Sequence, residues 1–221
     1  MSPQDLFNNS ASEIINVNRV LKKSPGSWQN YINTVKSCVS NIDQSGVMLD
    51  HRRLDQTLQT IDEVQEFAYF DADSGGIEVL ANWCVKEWNR IKESYPDHVE
   101  AFEGHGRWWL LNAQQFVARI PREDFDEEDD AAADKKRGTE NYYQARVALA
   151  SAVDLFKQSE ENARRHYCLT GKLLELKAEA CISLGNVSQT RDSRPHFEAA
   201  LRALREAERL QGYKLPTHLT K

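Results

Sequence analysis

Phe102, His105, Gly106 and Trp109 stand at i, i+3, i+4 and i+7 within YPDHVEAFEGHGRWW, so all four share one face of a helix. Pro96, just upstream, closes the helix before it, since proline removes a ladder donor and turns its predecessor away from helical dihedrals. A glycine on an apolar face leaves room for a neighbouring helix to approach closely. The tryptophan one turn later fills the space beside that approach. A chain carrying this pattern is committed to packing helix against helix.

The same periodicity runs along most of the chain. SASE at Ser10–Glu13 has the form of a capping box and leads into Ile14, Val17 and Leu21, before the breaker Ser24-Pro25-Gly26. Ser27 is placed to cap a second helix with Trp28, Ile32, Val35, Cys38, Val39 and Ile42 on one face, closed by Gln44-Ser45-Gly46. A third is predicted over 50–70 on Leu54, Leu58, Ile61, Val64 and Phe67, and a turn over 71–76 follows it. A fourth carries Leu80, Cys84, Trp88 and Ile91, and a fifth runs from His98 to Ile120.

Seven of the eight residues from Glu123 to Asp130 are acidic, and Lys135, Lys136 and Arg137 come soon after. Repulsion among these carboxylates predicts a solvated loop insertion over 121–139. Further helices are predicted over 140–158, over 162–184 with Gly185-Asn186 at its end, and over 197–211 after the polar link VSQTRDSRP.

Small and large residues alternate in these later helices as Tyr142, Ala145, Leu149 and Ala152, then as Phe197, Ala200, Leu204 and Ala207. Cys84, Trp88 and Ile91, followed by Pro96, have the matching spacing, as do Leu174, Ala178, Cys181, Leu184 and Gly185. Over about Asp50 to Pro216 the chain resembles the tetratricopeptide (TPR) superfamily, although its period departs from thirty-four residues. The resemblance implies an all-α, TPR-like α-solenoid of antiparallel helix pairs, with about eight helices. Residues 1–49 would then be N-terminal helices packing on the first repeat, and 50–221 the repeats, in one continuous structural domain. Solenoids usually end in a polar capping helix, and none is evident over Leu215–Lys221, so an end cut short or covered by a partner is expected.

Composition narrows the function classes. At 221 residues the chain can bury a sizeable core, and a net charge of −6 disfavours nucleic-acid binding by the surface as a whole. Cys38, Cys84, Cys168 and Cys181 lie far apart without CxxC spacing and inside apolar patterns, which predicts buried free thiols in a reducing compartment, cytoplasmic or nuclear. The first twenty residues hold no apolar signal region, and no apolar run reaches the ~20 residues needed to span a bilayer. His51, His98, His105, His166, His196 and His218 form no HExxH or His–Cys ligand pattern, so no metal, cofactor or catalytic constellation is assigned and His105 is assigned to packing. The expectation is a non-enzymatic protein–protein interaction module or scaffold subunit.

Two surfaces are candidates for binding. Exposed first-helix positions line a concave groove in TPR stacks, and the resemblance places them here at Glu100, Glu103, Arg107 and Leu110, then at Lys172, Glu175, Glu179 and Ile182. That mixed, acidic lining suits another protein presenting a basic segment. The alternative is an anionic partner or nucleic acid held by a C-terminal arginine stripe, Arg191, Arg194, Arg202, Arg205 and Arg209.

Overall fold

Ser2 opens the first helix. Its hydroxyl accepts the Asp5 N–H at 3.1 Å, the Asp5 carboxylate accepts the Ser2 N–H at 3.2 Å, and Pro3 holds the first helical position. This capping box displaces the one expected at Ser10, which lies buried in mid-helix. The computed structural model describes residues 2–121 and 130–219. Its α-helices are α1 Pro3–Leu21, α2 Ile32–Ser45, α3 Leu54–Ala68, α4 Glu78–Ser94, α5 Val99–Val117, α6 Asp130–Arg137, α7 Glu140–Arg165, α8 Gly171–Val187 and α9 Thr190–Ala207. Helix makes up 82% and no strand occurs among the described residues, which makes the protein all-α. Two compact units arise, Met1–Asp71 with Gly76–Trp88, and Ala72–Gly75 with Asn89–Lys221, and the division falls inside α4.

The first unit buries the stripes that the periodicity predicts. Val35, Val39 and Ile42 of α2, Ile61, Val64 and Phe67 of α3, and Leu80, Cys84 and Trp88 of α4 are all buried, together with Phe7, Ile14 and Leu21 of α1. Long polar side chains tie the helices: Asn18 donates to the Glu63 carbonyl at 2.8 Å and to its carboxylate at 2.7 Å. Two indoles find acceptors, Trp83 on Asp43 at 2.8 Å and Trp88 on Gln65 at 2.7 Å, as aromatic N–H groups must when buried.

In the second unit α5, α7, α8 and α9 pack one on the next, each antiparallel to the one before. Ser159, late in α7, donates to the Val99 carbonyl at the start of α5 at 2.9 Å. Arg146, early in α7, donates to the Val187 carbonyl at the end of α8 at 2.8 Å. A β-carbon on Gly106 would lie 2.9 Å from the Phe156 ring, and one on Gly185 would lie 2.7 Å from the Phe197 ring. Glycine is thus the residue that permits both helix contacts. Ala145, Ala148 and Ala152 of α7 and Ala200, Ala203 and Ala207 of α9 continue the close packing.

A charged cluster ties α7, α8 and α9. Glu160 is buried and binds Lys177 of α8 and Arg164, which in turn reaches Glu206 of α9 at 2.6 Å. Burial alone would raise the Glu160 pKa, but hydrogen bonds from Lys177 and Arg164 bring it below the ordinary value.

Three boundaries and one buried face differ from the sequence reading. Residues 130–137 of the expected loop form α6, because Ala131–Ala133 favour helix and Arg137 pairs with Asp134 at 3.2 Å; residues 122–129 of that loop lie outside the described residues. The break between α7 and α8 falls at 166–170 rather than near residue 160. There Thr170 caps α8 by accepting the Leu173 N–H at 3.2 Å. Helix α9 starts at Thr190 and carries Pro195 inside it, where a link was expected. Asp134 makes this start possible by accepting the Thr190 N–H at 2.8 Å from outside the helix. Trp109 is half-buried, whereas its neighbour Trp108 is 9% exposed and Leu110 8%, so α5 buries a broader arc than one stripe.

Gly106→Ala tests the α5–α7 contact. Alanine gains helix propensity, but its methyl must displace a fully buried ring, and overpacking of this kind costs about 1–3 kcal/mol. Urea unfolding should show a net loss of about 1–2 kcal/mol, with part of it restored when Phe156→Leu is added.

Candidate functional site

Only part of the expected groove set reaches the surface. On α5, Glu100 is exposed and its carboxylate lies 3.2 Å from His98 Nδ1, while Glu103 and Arg107 are half-buried. Leu110, expected in the groove, is instead buried with Tyr142, Ala145 and Leu149 of α7, because it sits one turn beyond Gly106 on the side that meets Phe156. On α8, Lys172 is exposed, but Glu175 is only 4% exposed and is engaged by Lys172 and by the Tyr213 hydroxyl. Glu179 meets His218 at 3.1 Å, and Ile182 packs against the cluster of Leu174, Ala178 and Cys181. Leu110 and Glu175 are therefore corrected from surface to interior positions. Glu175 and Glu179 are met by Tyr213 and His218, residues after α9 that sequence periodicity had no means of placing.

The arginine stripe is brought together on one face. At 100° per residue, Arg191, Arg194, Arg202 and Arg205 fall within an arc of about 80° on α9, and Arg209 follows just past its end. All five are exposed. Arg191 meets Asp192 at 3.4 Å and Arg194 meets Glu198 at 2.8 Å, both in the solvent-screened setting where ion pairs contribute little. Among the described residues, no carboxylate lies within ion-pair distance of Arg202, Arg205 or Arg209. Glu206, the obvious local partner, is taken by Arg164. Beside the stripe two apolar side chains stay open, Phe197 at 39% and Leu201 at 47% exposure.

A cleft of about 480 Å3 opens at the turn between α4 and α5, lined by Tyr95, Pro96, His98, Glu100, His166 and Cys168 among others. Cys168 is exposed, a correction to its expected burial; Cys38, Cys84 and Cys181 are buried, and burial pushes their thiols up. The helix end at 166–168 explains the difference. The Cys168 N–H donates to the Ala163 carbonyl at 2.9 Å and the Tyr167 N–H to Arg164 at 3.3 Å, a Schellman turn in which Tyr167 takes the left-handed position. Among the described residues, no group of three or more His, Cys, Asp or Glu is placed to hold a metal ion.

His105 occupies the packing position assigned to it, 6% exposed, with its ring stacked on Trp109 at 6.4 Å and edge-on to Trp108 at 6.3 Å. Both ring nitrogens are buried, and neither has a hydrogen-bond partner among the described residues. Burial, helped by nearby Lys92, holds its pKa down at about 4.

Two measurements follow. Because the folded pKa of His105 lies below the unfolded value near 6.5, the unfolded chain binds the proton more tightly. Its contribution to stability is complete above pH 6.5 and lost as pH falls towards 4, at about 1.4 kcal/mol per unit. The loss should total roughly 3 kcal/mol in urea midpoints, and His105→Phe should flatten the slope between pH 6.5 and 4.

Tyr167→Gly removes the cost of a side chain in the left-handed region, at a residue 97% exposed with nothing to lose in packing. It should raise stability by about 1 kcal/mol, read as a melting shift of about 2–4 °C.

No known family profile matches the chain, and neither a curated protein nor a solved structure matches it.

Proposed function

We propose that the protein is a non-enzymatic interaction module, built as a TPR-like stack of helix pairs, that receives an acidic protein segment along the outer face of α9. The observation that carries this reading is the combination on that face: arginines within an arc of about 80°, three of the stripe's five without a carboxylate partner among the described residues, beside open Phe197 and Leu201. Guanidinium groups form paired hydrogen bonds with carboxylates, and the apolar rail suits a segment whose own apolar side chains alternate with its acids. A nucleic acid held through its phosphates alone would leave Phe197 and Leu201 unused, whereas a segment of alternating acidic and apolar side chains uses both parts of the face. The basic partner expected for the groove loses support with Leu110 and Glu175 buried. Four free cysteines suit a reducing compartment, cytoplasmic or nuclear.

The test is fluorescence anisotropy with a labelled amphipathic peptide of alternating Glu and Leu, at two salt concentrations. Arg202→Ala/Arg205→Ala/Arg209→Ala should weaken binding more than tenfold while unfolding stability stays within about 0.5 kcal/mol. Leu201→Ser should weaken the peptide several-fold yet leave a single-stranded RNA probe unaffected. Equal peptide binding by the wild type and the arginine triple variant would remove α9 as the site. RNA binding that exceeds peptide binding would favour the nucleic-acid reading instead.

A further inference from the structure

The chain does not leave the fold where α9 ends. It passes through Glu208–Gln211 to Gly212, whose φ of +82° lies in the left-handed region, and turns back over α8. The Tyr213 ring settles on Gly171, where a β-carbon would overlap it, and the Tyr213 hydroxyl donates to the Glu175 carboxylate. Tyr213 and Leu215 pack against the Leu174–Ala178–Cys181 cluster. A short 3-10 turn, Thr217–Leu219, then sets His218 Nε2 against Glu179 at 3.1 Å.

These contacts are in register. Gly171, Glu175 and Glu179 are each four residues apart, so they form one strip along α8, a notch followed by two acids. The strip is about 12 Å long at 1.5 Å per residue. Tyr213 and His218 are five residues apart, and an extended chain covers at most about 17 Å over that length. The segment therefore lies along the strip with slack, which Pro216 and the 3-10 turn take up.

The segment is a cover and not part of the core. Tyr213, Leu215, Pro216 and Leu219 are half-buried, while Gly212, Lys214, Thr217 and His218 are exposed. Nothing lies within 4 Å of where a Gly212 side chain would start, so the hinge turns in open space. Segments with no fully buried side chain open at low cost while the helices beneath them stay folded.

We infer that residues 212–219 are a self-ligand, a detachable strap that fills a segment-binding strip on α8, and that the strip accepts the same segment from a second copy of this chain when its own strap is released. This strip is separate from the outer face of α9, so its failure leaves the proposal for that face untouched. The recognition is an aromatic hydroxyl seated in the Gly171 notch on Glu175, with an imidazole five residues on that meets Glu179. Tethering sets the strap's own effective concentration in the millimolar range, so the intact chain excludes the second copy until the strap is weakened.

The test uses the full chain and a fluorescein-labelled peptide of the strap sequence, GYKLPTHL, read by anisotropy. Tyr213→Ala should bind the peptide at least tenfold more tightly than the wild type, because its own strap no longer fills the notch. Adding Gly171→Ala to that variant should abolish binding, and Tyr213→Phe should fall between. Circular dichroism of each variant checks that its helices remain. Should the alanine variants fail to fold, hydrogen exchange on the wild type gives a second reading, with residues 212–219 opening at least a hundredfold more often than α7. Equal peptide binding by wild type and Tyr213→Ala, persistence of binding in Gly171→Ala/Tyr213→Ala, or strap exchange as slow as that of α7 would each overturn the inference.

Discussion

Glycine set against an aromatic ring is the contact on which the second unit depends. Gly106 receives Phe156 between α5 and α7, and Gly185 receives Phe197 between α8 and α9, so the same missing side chain recurs at two helix contacts of the unit. Protein interiors have almost no free volume, and a ring can reach the neighbouring backbone only where no β-carbon stands in its way. Helix spacing and register are thereby set together. The Glu160–Lys177–Arg164–Glu206 cluster can assemble only after that spacing is established, because its members come from three helices. Removing one partner from such a buried cluster leaves an uncompensated charge, so it acts as a check on register more than as a source of stability.

The first unit solves the same problem by other means. Its apolar stripes are conventional, and what distinguishes its contacts is polar reach, with Asn18 spanning to Glu63 and the indoles of Trp83 and Trp88 bound to Asp43 and Gln65. Side-chain hydrogen bonds of this kind tolerate a wider spacing between backbones than a ring on a glycine does. They specify direction, since an indole N–H has a single donor and must aim it.

What was legible in the sequence follows from this contrast. Periodicity exposes any face that is apolar, so the stripes of α3, α4 and α7 are readable, and Gly106 declares its role by standing on such a face one turn from Trp109. Helix ends are less readable where the satisfying group is remote. The start of α9 rests on Asp134, 56 residues away, and nothing adjacent to Thr190 signals it. α6 was hidden by its charges, which argue for solvent without revealing that Arg137 and Asp134 pair across one turn. For the candidate sites, the arginine stripe is a local pattern and was visible. Burial of Glu175 under Tyr213 is a contact across 38 residues, which residue spacing alone does not encode.

The Schellman turn that closes α7 has a chemical consequence. By ending the helix at His166 it lifts Cys168 out of the apolar pattern that keeps Cys38, Cys84 and Cys181 inside, and it leaves the chain with one accessible thiol. The thiolate is the form that reacts with maleimides and mercurials, and burial withholds both access and deprotonation from the other three. The native chain is therefore built for stoichiometric conjugation at a single defined point. A mercury atom there would serve as a phasing derivative, and a nitroxide or dye would report on the α7–α8 junction without any cysteine having to be removed.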